Sequence, residues 1–131
     1  MSLKHINPAG MFRSPAFSQG VLVDGPGRLL LVGGQNGINA DGEMVSDDLA
    51  GQTRQAMRNV LAVLKEAGAT QQDVAKLNIY LAAGQDPNEG FAAAAEVWGQ
   101  VPTAITVLQV GSARPGVLVE IDALAQVPEK A

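Results

Sequence analysis

The segment that most constrains the fold is residues 102–125, PTAITVLQVGSARPGVLVEIDALA. It reads as two strands joined by a Gly/Pro loop. Ile105, Val107 and Gln109 alternate with Thr106, Leu108 and Val110. After Gly111-Ser112-Ala113-Arg114-Pro115-Gly116 the period of two resumes. Val117, Val119, Ile121 and Ala123 fall on one face, and Leu118, Glu120, Asp122 and Leu124 on the other. Glu120 stands mid-strand among apolar neighbours. A carboxylate there must be paired, hydrogen-bonded or solvated, because an unsatisfied buried charge is costly. Asp122 shares its face, so a solvated or edge face is the competing reading.

The remaining chain supplies partners for this strand pair. Residues 1–16 form an arm broken by Pro8, Gly10 and Pro15. Residues 17–23 read as a strand, Asp24-Gly25-Pro26-Gly27 as a turn, and residues 28–32 as the return strand. Gly33-Gly34 follows. A phosphate loop is excluded there, since no GxxxxGK pattern and no following helix are present; a bulge or close backbone approach fits better. Ser46, with Asp47 and Asp48 behind it, opens a long helix. Leu49, Ala56, Met57, Val60, Leu61, Leu64 and Ala67 form its apolar stripe, and Gly68 ends it. The polar positions Gln52, Arg54, Gln55, Arg58 and Lys65 read as a solvated face. Thr70 to Asp73 resembles a capping box, and residues 74–81 alternate as a strand. Asp86-Pro87-Asn88-Glu89 is a second helix start, with a cap, a proline at the first position and an acid at the third. That helix runs to about Trp98, which reads as a core anchor rather than a ligand platform.

The resulting order is β-β-α-β-α-β-β, with a possible short strand at residues 3–6, in one domain spanning 1–131. Two helices cover one face of such a sheet, yet the strands carry apolar residues on both. A second chain is therefore expected on the other face, in a closed homo-oligomer.

Composition narrows the chemistry. There is no cysteine, which excludes disulfides and thiolate chemistry and fits a reducing, cytoplasmic setting. His5 is the one histidine, so a histidine metal cluster is not expected; His5 is read as packed or solvent-facing. With a net charge of −4 and nine scattered Lys and Arg, no nucleic-acid footprint is visible. No apolar run approaches the ~20 residues that span a membrane. The start MSLKHINPAG lacks an apolar signal core. No cofactor motif is present.

Val119-Glu120-Ile121-Asp122-Ala123 resembles the closing VEIEA-type strand of the RidA/YjgF family. Phe17-Ser18-Gln19, Gly33-Gly34-Gln35 and the helix from Gln52 to Asn59 extend the resemblance, in order, over nearly the whole chain. It implies an α+β, chorismate mutase-like fold and a homotrimer with a central barrel and pockets between subunits. It also implies hydrolysis of reactive enamine or imine intermediates, with release of ammonia. In that family an arginine two residues after a strand-opening proline holds the substrate carboxylate; the proline matches Pro102, and the position holds Ala104. The pocket tyrosine matches Phe17, the serine before Gly-Gln matches Gly33, and an asparagine on the second helix matches Ala92. Backbone around Gly33 and Gly34 would contact the carboxylate, and Gln52 and Asn59 would be structural. Glu120 is retained as the catalytic carboxylate. Arg114 is either a replacement cation or an exposed loop arginine. The resemblance thus suggests an arginine-lacking branch. Three readings follow: an imine or enamine hydrolase weak on simple 2-iminoacids, a non-catalytic module binding a small carboxylate or imine metabolite, or a ribonuclease or translation inhibitor. The scattered cations argue against the last.

Overall fold

The computed structural model describes residues 3–111 and 114–129; Ser112 and Ala113 of the expected Gly/Pro loop lie outside them. The strands are β1 (Leu3–Ile6), β2 (Gly20–Val23), β3 (Arg28–Gln35), β4 (Val74–Ala82), β5 (Ala104–Val110) and β6 (Val119–Val127). The helices are α1 (Leu49–Ala67) and α2 (Pro87–Trp98), with a short 3-10 turn at Gln71–Asp73. Strands β3 to β6 form one mixed sheet in the order β3-β6-β4-β5, in which only β4 and β5 run parallel. The architecture is α+β, as expected, with both helices on one face of the sheet.

The helix ends follow from local chemistry. Asp48, not Ser46, caps α1: its Oδ1 accepts from the Gly51 N–H at 2.7 Å. The hydroxyl of Ser46 donates to the same oxygen at 2.8 Å, so Ser46 steadies the cap instead of forming it. These bonds, led by the one from Gly51, hold the Asp48 carboxyl below its ordinary pKa. Gly68 ends α1 at φ 87°, in the left-handed region that glycine enters without strain. Asp86 caps α2 with Pro87 at the first position, and Thr70 with Asp73 makes a full capping box.

The first strands depart from expectation. Residues 17–19 are not strand, and β2 does not pair with β3. β2 instead pairs antiparallel with β1, with Leu3 opposite Val23 and Ile6 opposite Gly20. The reason lies in where the backbone donors go. Ser18 N–H donates to Thr103 O, and Gln19 N–H to the Asn7 side chain, which removes both from any ladder. The turn at 24–27 is held against β6 by Gln126, whose Nε2 donates to Gly25 O. β3 therefore emerges alongside β6 and pairs with it from Arg28 opposite Val127. His5 packs its Nδ1 2.7 Å from Ser18 Oγ. Because the Ser18 hydroxyl donates to Pro102 O, His5 must be the donor in that pair.

The core lies between the helices and one sheet face. Leu49, Met57, Val60 and Leu64 of α1 meet Leu77 and Leu81 of β4 and Ile121 and Ala125 of β6; Trp98 is buried with them at 4% exposure. The other face alternates as read from the sequence. Register places Tyr80 beside Glu120, Asn78 beside Asp122, and Lys76 between Ala104 and Leu124. Among these polar groups Leu29, Leu31 and Leu108 stay 65%, 69% and 52% exposed. No helix among the described residues is long and apolar enough to cross a membrane.

Candidate functional site

Glu120 sits near the start of β6, on the helix-free face, and is exposed within the single chain. The strand beside it makes room for its carboxylate. Val32 pairs with Ala123 and Gln35 with Ile121, so Gly33 and Gly34 together oppose one residue of β6, a β-bulge. A Cβ at Gly34 would lie 2.5 Å from Glu120 Oε2, so with glycine here the carboxylate lies against the bulge backbone, and a larger residue would push it aside. Gly33 is different: a Cβ there would meet nothing within 4 Å. Of the paired glycines, Gly34 shapes the site.

Arg114 lines a hollow of about 350 Å³ together with Glu120, Tyr80 and Asp122. It also lines the adjoining hollow, which contains Gly34 and Asn59. An exposed loop arginine and a site-facing one are therefore the same residue here. Its loop is tied down by Gln52, which is 1% exposed and not part of the solvated face expected for it. Gln52 Nε2 donates to Gly116 O at 2.8 Å and to Ser46 O at 3.0 Å, and its Oε1 accepts from Leu118 N–H at 2.9 Å. A glutamine can do this because it carries donors and an acceptor on one planar group. Asn59 likewise donates to Asn36 O and Ile38 O, fixing the loop that follows the bulge.

Tyr80 is the residue that sequence reasoning missed. It is half-buried on β4, opposite Glu120, and its hydroxyl donates to Asp122. The Asp122 charge, first among the causes, raises the Tyr80 pKa above its ordinary value, with burial and Glu120 adding to it. The hydroxyl thus stays a proton donor at neutral pH. Asp122 is in turn held by Asn78 Nδ2 at 2.8 Å. Alternation put Glu120 and Asp122 on one face, but only the register of β4 against β6 brings Tyr80 to them.

Phe17 belongs to a second, separate hollow with Asn88, Phe91, Ile105 and Val107. Its ring centroid is 6.4 Å from that of Phe12. Ala104 is not in this hollow. Successive strand residues point to opposite faces, so Ile105 and Val107 face Phe17, while Ala104 and Thr106 face Lys76. Lys76 Nζ donates to Thr106 Oγ1 at 2.6 Å. The Ala104 row and the Glu120 row are four residues apart along β4, about 13 Å at ~3.3 Å per residue. Ala92 is exposed on α2; Asn88, one turn earlier, is the polar residue that reaches the Phe17 hollow. A single chain therefore brings together Glu120, Gly34 and Arg114. It keeps Phe17 apart from them, with Ile105 and Asn88 beside it.

The comparisons with known proteins agree with this fold. Residues 12–127 match the family model described as Endoribonuclease L-PSP. A RutC family protein of Pyrococcus abyssi is 33% identical over 110 residues, 83% of this chain and 84% of the relative. The 2-iminobutanoate/2-iminopropanoate deaminase of Rattus norvegicus is 34% identical over 116 residues, 84% of this chain and 79% of the relative. The crystal structure of a Rid-family protein of unknown function from Yersinia pestis superposes with a TM-score of 0.85 at 36% identity, covering 96% of this chain and 99% of that one. With the fold, the order of the motifs and the family model in accord, the chain belongs to the Endoribonuclease L-PSP family, the RidA/YjgF proteins.

Proposed function

We propose that this protein is a trimeric, cytoplasmic hydrolase of imines or enamines, weak on simple 2-iminoacids, with each site closed between subunits. The observation that carries the reading is Glu120, seated against the Gly34 backbone in a hollow shared with Arg114. A water held by Glu120 adds through its oxygen to the imine carbon while the carboxylate takes a proton. The proton passes to nitrogen to give a carbinolamine; the carbon–nitrogen bond then breaks as the hydroxyl proton moves to the leaving nitrogen, releasing ammonia and a carbonyl. The name of the rat relative supports this class of substrate.

The trimer is supported by the exposed leucines on the helix-free face and by the division of the site. Glu120, Gly34 and Arg114 stand apart from Phe17 and Asn88 within one chain, so a site that used both groups would need another subunit to bring them together. Light scattering at micromolar concentration is expected to give about three times 13.5 kDa. A clean monomer would overturn the shared site.

Weak iminoacid turnover is expected because β5, AITVLQV, carries no cation on either face. Neither Ala104 nor Ile105 can clamp a carboxylate, and Gly33 and Phe17 contribute no hydroxyl. A hydrogen bond to a charged group contributes about 1.5–3 kcal/mol, or roughly 10- to 150-fold in rate if made in the transition state. The assay is ammonia release from iminoacids generated in situ by an amino-acid oxidase. Ile105→Arg, facing the Phe17 hollow, is expected to gain up to about a hundredfold. Ala104→Arg, beside Lys76, should gain less; the reverse order would place the clamp on the other face of β5. A wild-type rate equal to that of arginine-bearing relatives would refute the argument and single out Arg114. The missing cation also favours a second reading, a binding module without turnover. Ligand-induced stabilisation with no ammonia released would establish it. A ribonuclease role gains no support: the cations are scattered and His5 is engaged with Ser18.

A further inference from the structure

Beneath the arm lies an apolar cavity of about 260 Å³ between α2 and the helix-side face of β4 and β5. Met57, Leu77, Ile79 and Trp98 line it, together with Pro15 and Ala16 of the arm. No charged residue lines it. Ala16, Phe91 and Ile105 line both this cavity and the Phe17 hollow, so the two adjoin. An apolar cavity of roughly 150 Å³ already holds benzene. This one therefore has room for a side chain the size of leucine's or phenylalanine's.

We infer that the site takes imines or enamines with a large apolar side chain, seated in this cavity, with the reacting group outside it at the Phe17 hollow. The inference rests on the reading of that hollow as part of the substrate site. The chemistry of the walls sets the preference. Each methylene moved from water into such a cavity is worth about fourfold in affinity, whereas a short or polar side chain leaves the space unfilled. Ile105 stands at the junction of cavity and hollow, so it is the residue that meets the base of the side chain.

Binding and turnover are tested separately, on the intact protein. Phenylacetamide and acetamide are titrated calorimetrically into wild type, Ala94→Leu and Ala95→Leu. Phenylacetamide is expected to bind at least about tenfold more tightly than acetamide. Ala94→Leu, which fills the cavity from α2, should lose that advantage. Ala95 lies at the exposed rim, so Ala95→Leu carries the same test if the buried substitution prevents folding. Equal affinity for the two amides in wild type, or phenylacetamide binding unchanged by filling, overturns the inference. Ammonia release is then compared for imines made from phenylalanine and from alanine. Selective phenylacetamide binding with no turnover of either imine leaves the cavity assignment standing and removes the hydrolase reading. Turnover without preference for the larger imine, together with no amide selectivity, does the reverse.

Discussion

Glu120→Gln is expected to lower ammonia release by roughly 10²- to 10⁴-fold, the usual contribution of a positioned general acid–base. The substitution isolates one property. Glutamine keeps the length and planarity of the side chain beside Gly34, and it still hydrogen-bonds water. What it cannot do is take a proton as water adds to the imine carbon. Tyr80 cannot substitute, because Asp122 keeps its hydroxyl protonated. Arg114 carries a permanent charge. Because Glu120 is exposed on its strand within one chain, the swap should shift the protomer's stability by no more than about 0.5 kcal/mol. An unchanged melting temperature and assembly mass would show that the loss belongs to chemistry. The measurement is best made in Ile105→Arg as well, where the rate is expected to be higher. A variant that retains most of its activity would remove Glu120 from the mechanism and leave the hydrolase reading without a base.

The second large effect is on stability. Gln52→Leu keeps the side-chain volume on α1 but strands the Leu118 N–H and the carbonyls of Ser46 and Gly116. A fully buried polar group left without a partner costs about 1–3 kcal/mol; Ser46 and Leu118 are half-buried and Gly116 is exposed, so the three together are expected to cost near 3 kcal/mol, the low end of the range. For a chain of this size that is a drop of about 10 °C in melting temperature, read by circular dichroism. The effect should not be purely global. Gln52 is the tie between α1 and the loop carrying Arg114, so amide exchange in residues 114–118 should quicken beyond what the lost stability accounts for. A shift of under about 3 °C would mean that water serves the loop as well as the glutamine does.

Much of this architecture was legible because its signals are local. Asp86-Pro87 and Thr70 to Asp73 announce their helical starts within a few residues, and the alternation through Glu120 and Asp122 sets the faces of β6 without reference to any other strand. Most of the failures involve distant partners. Asp24 to Gly27 looked like the turn of a hairpin, but whether β3 turns back onto β2 depends on β6, almost a hundred residues away. Ser46 and Asp48 are equally good caps by type, and only the Gly51 bond distinguishes them. By residue type Gln52 looked like any polar helix position; the resemblance gave it a structural role, and only the loop at 116–118 folding over it shows which. The candidate site follows the same division. Glu120 and Gly34 were visible as a carboxylate in an apolar strand and a glycine at a strand end. Tyr80 depends on strand register, and Asn88 had already been read as part of a helix start. The facing of Ile105 rather than Ala104 depends on which side of β5 the arm crosses.

The sheet order has a consequence for how a lone chain behaves. β3 and β5 are its outer strands, each pairing within the sheet on one side only among the described residues. Both carry exposed large apolar side chains, Leu29 and Leu31 on one and Leu108 on the other. An unpaired strand edge flanked by exposed leucine is a template for adding another strand, whatever chain it comes from. If the proposed trimer forms, newly made protomers face a race between correct docking and edge-to-edge aggregation, and dilution slows both. Rapid association would then be part of solubility, and a substitution that merely delays docking would surface first as inclusion bodies, with the fold itself intact.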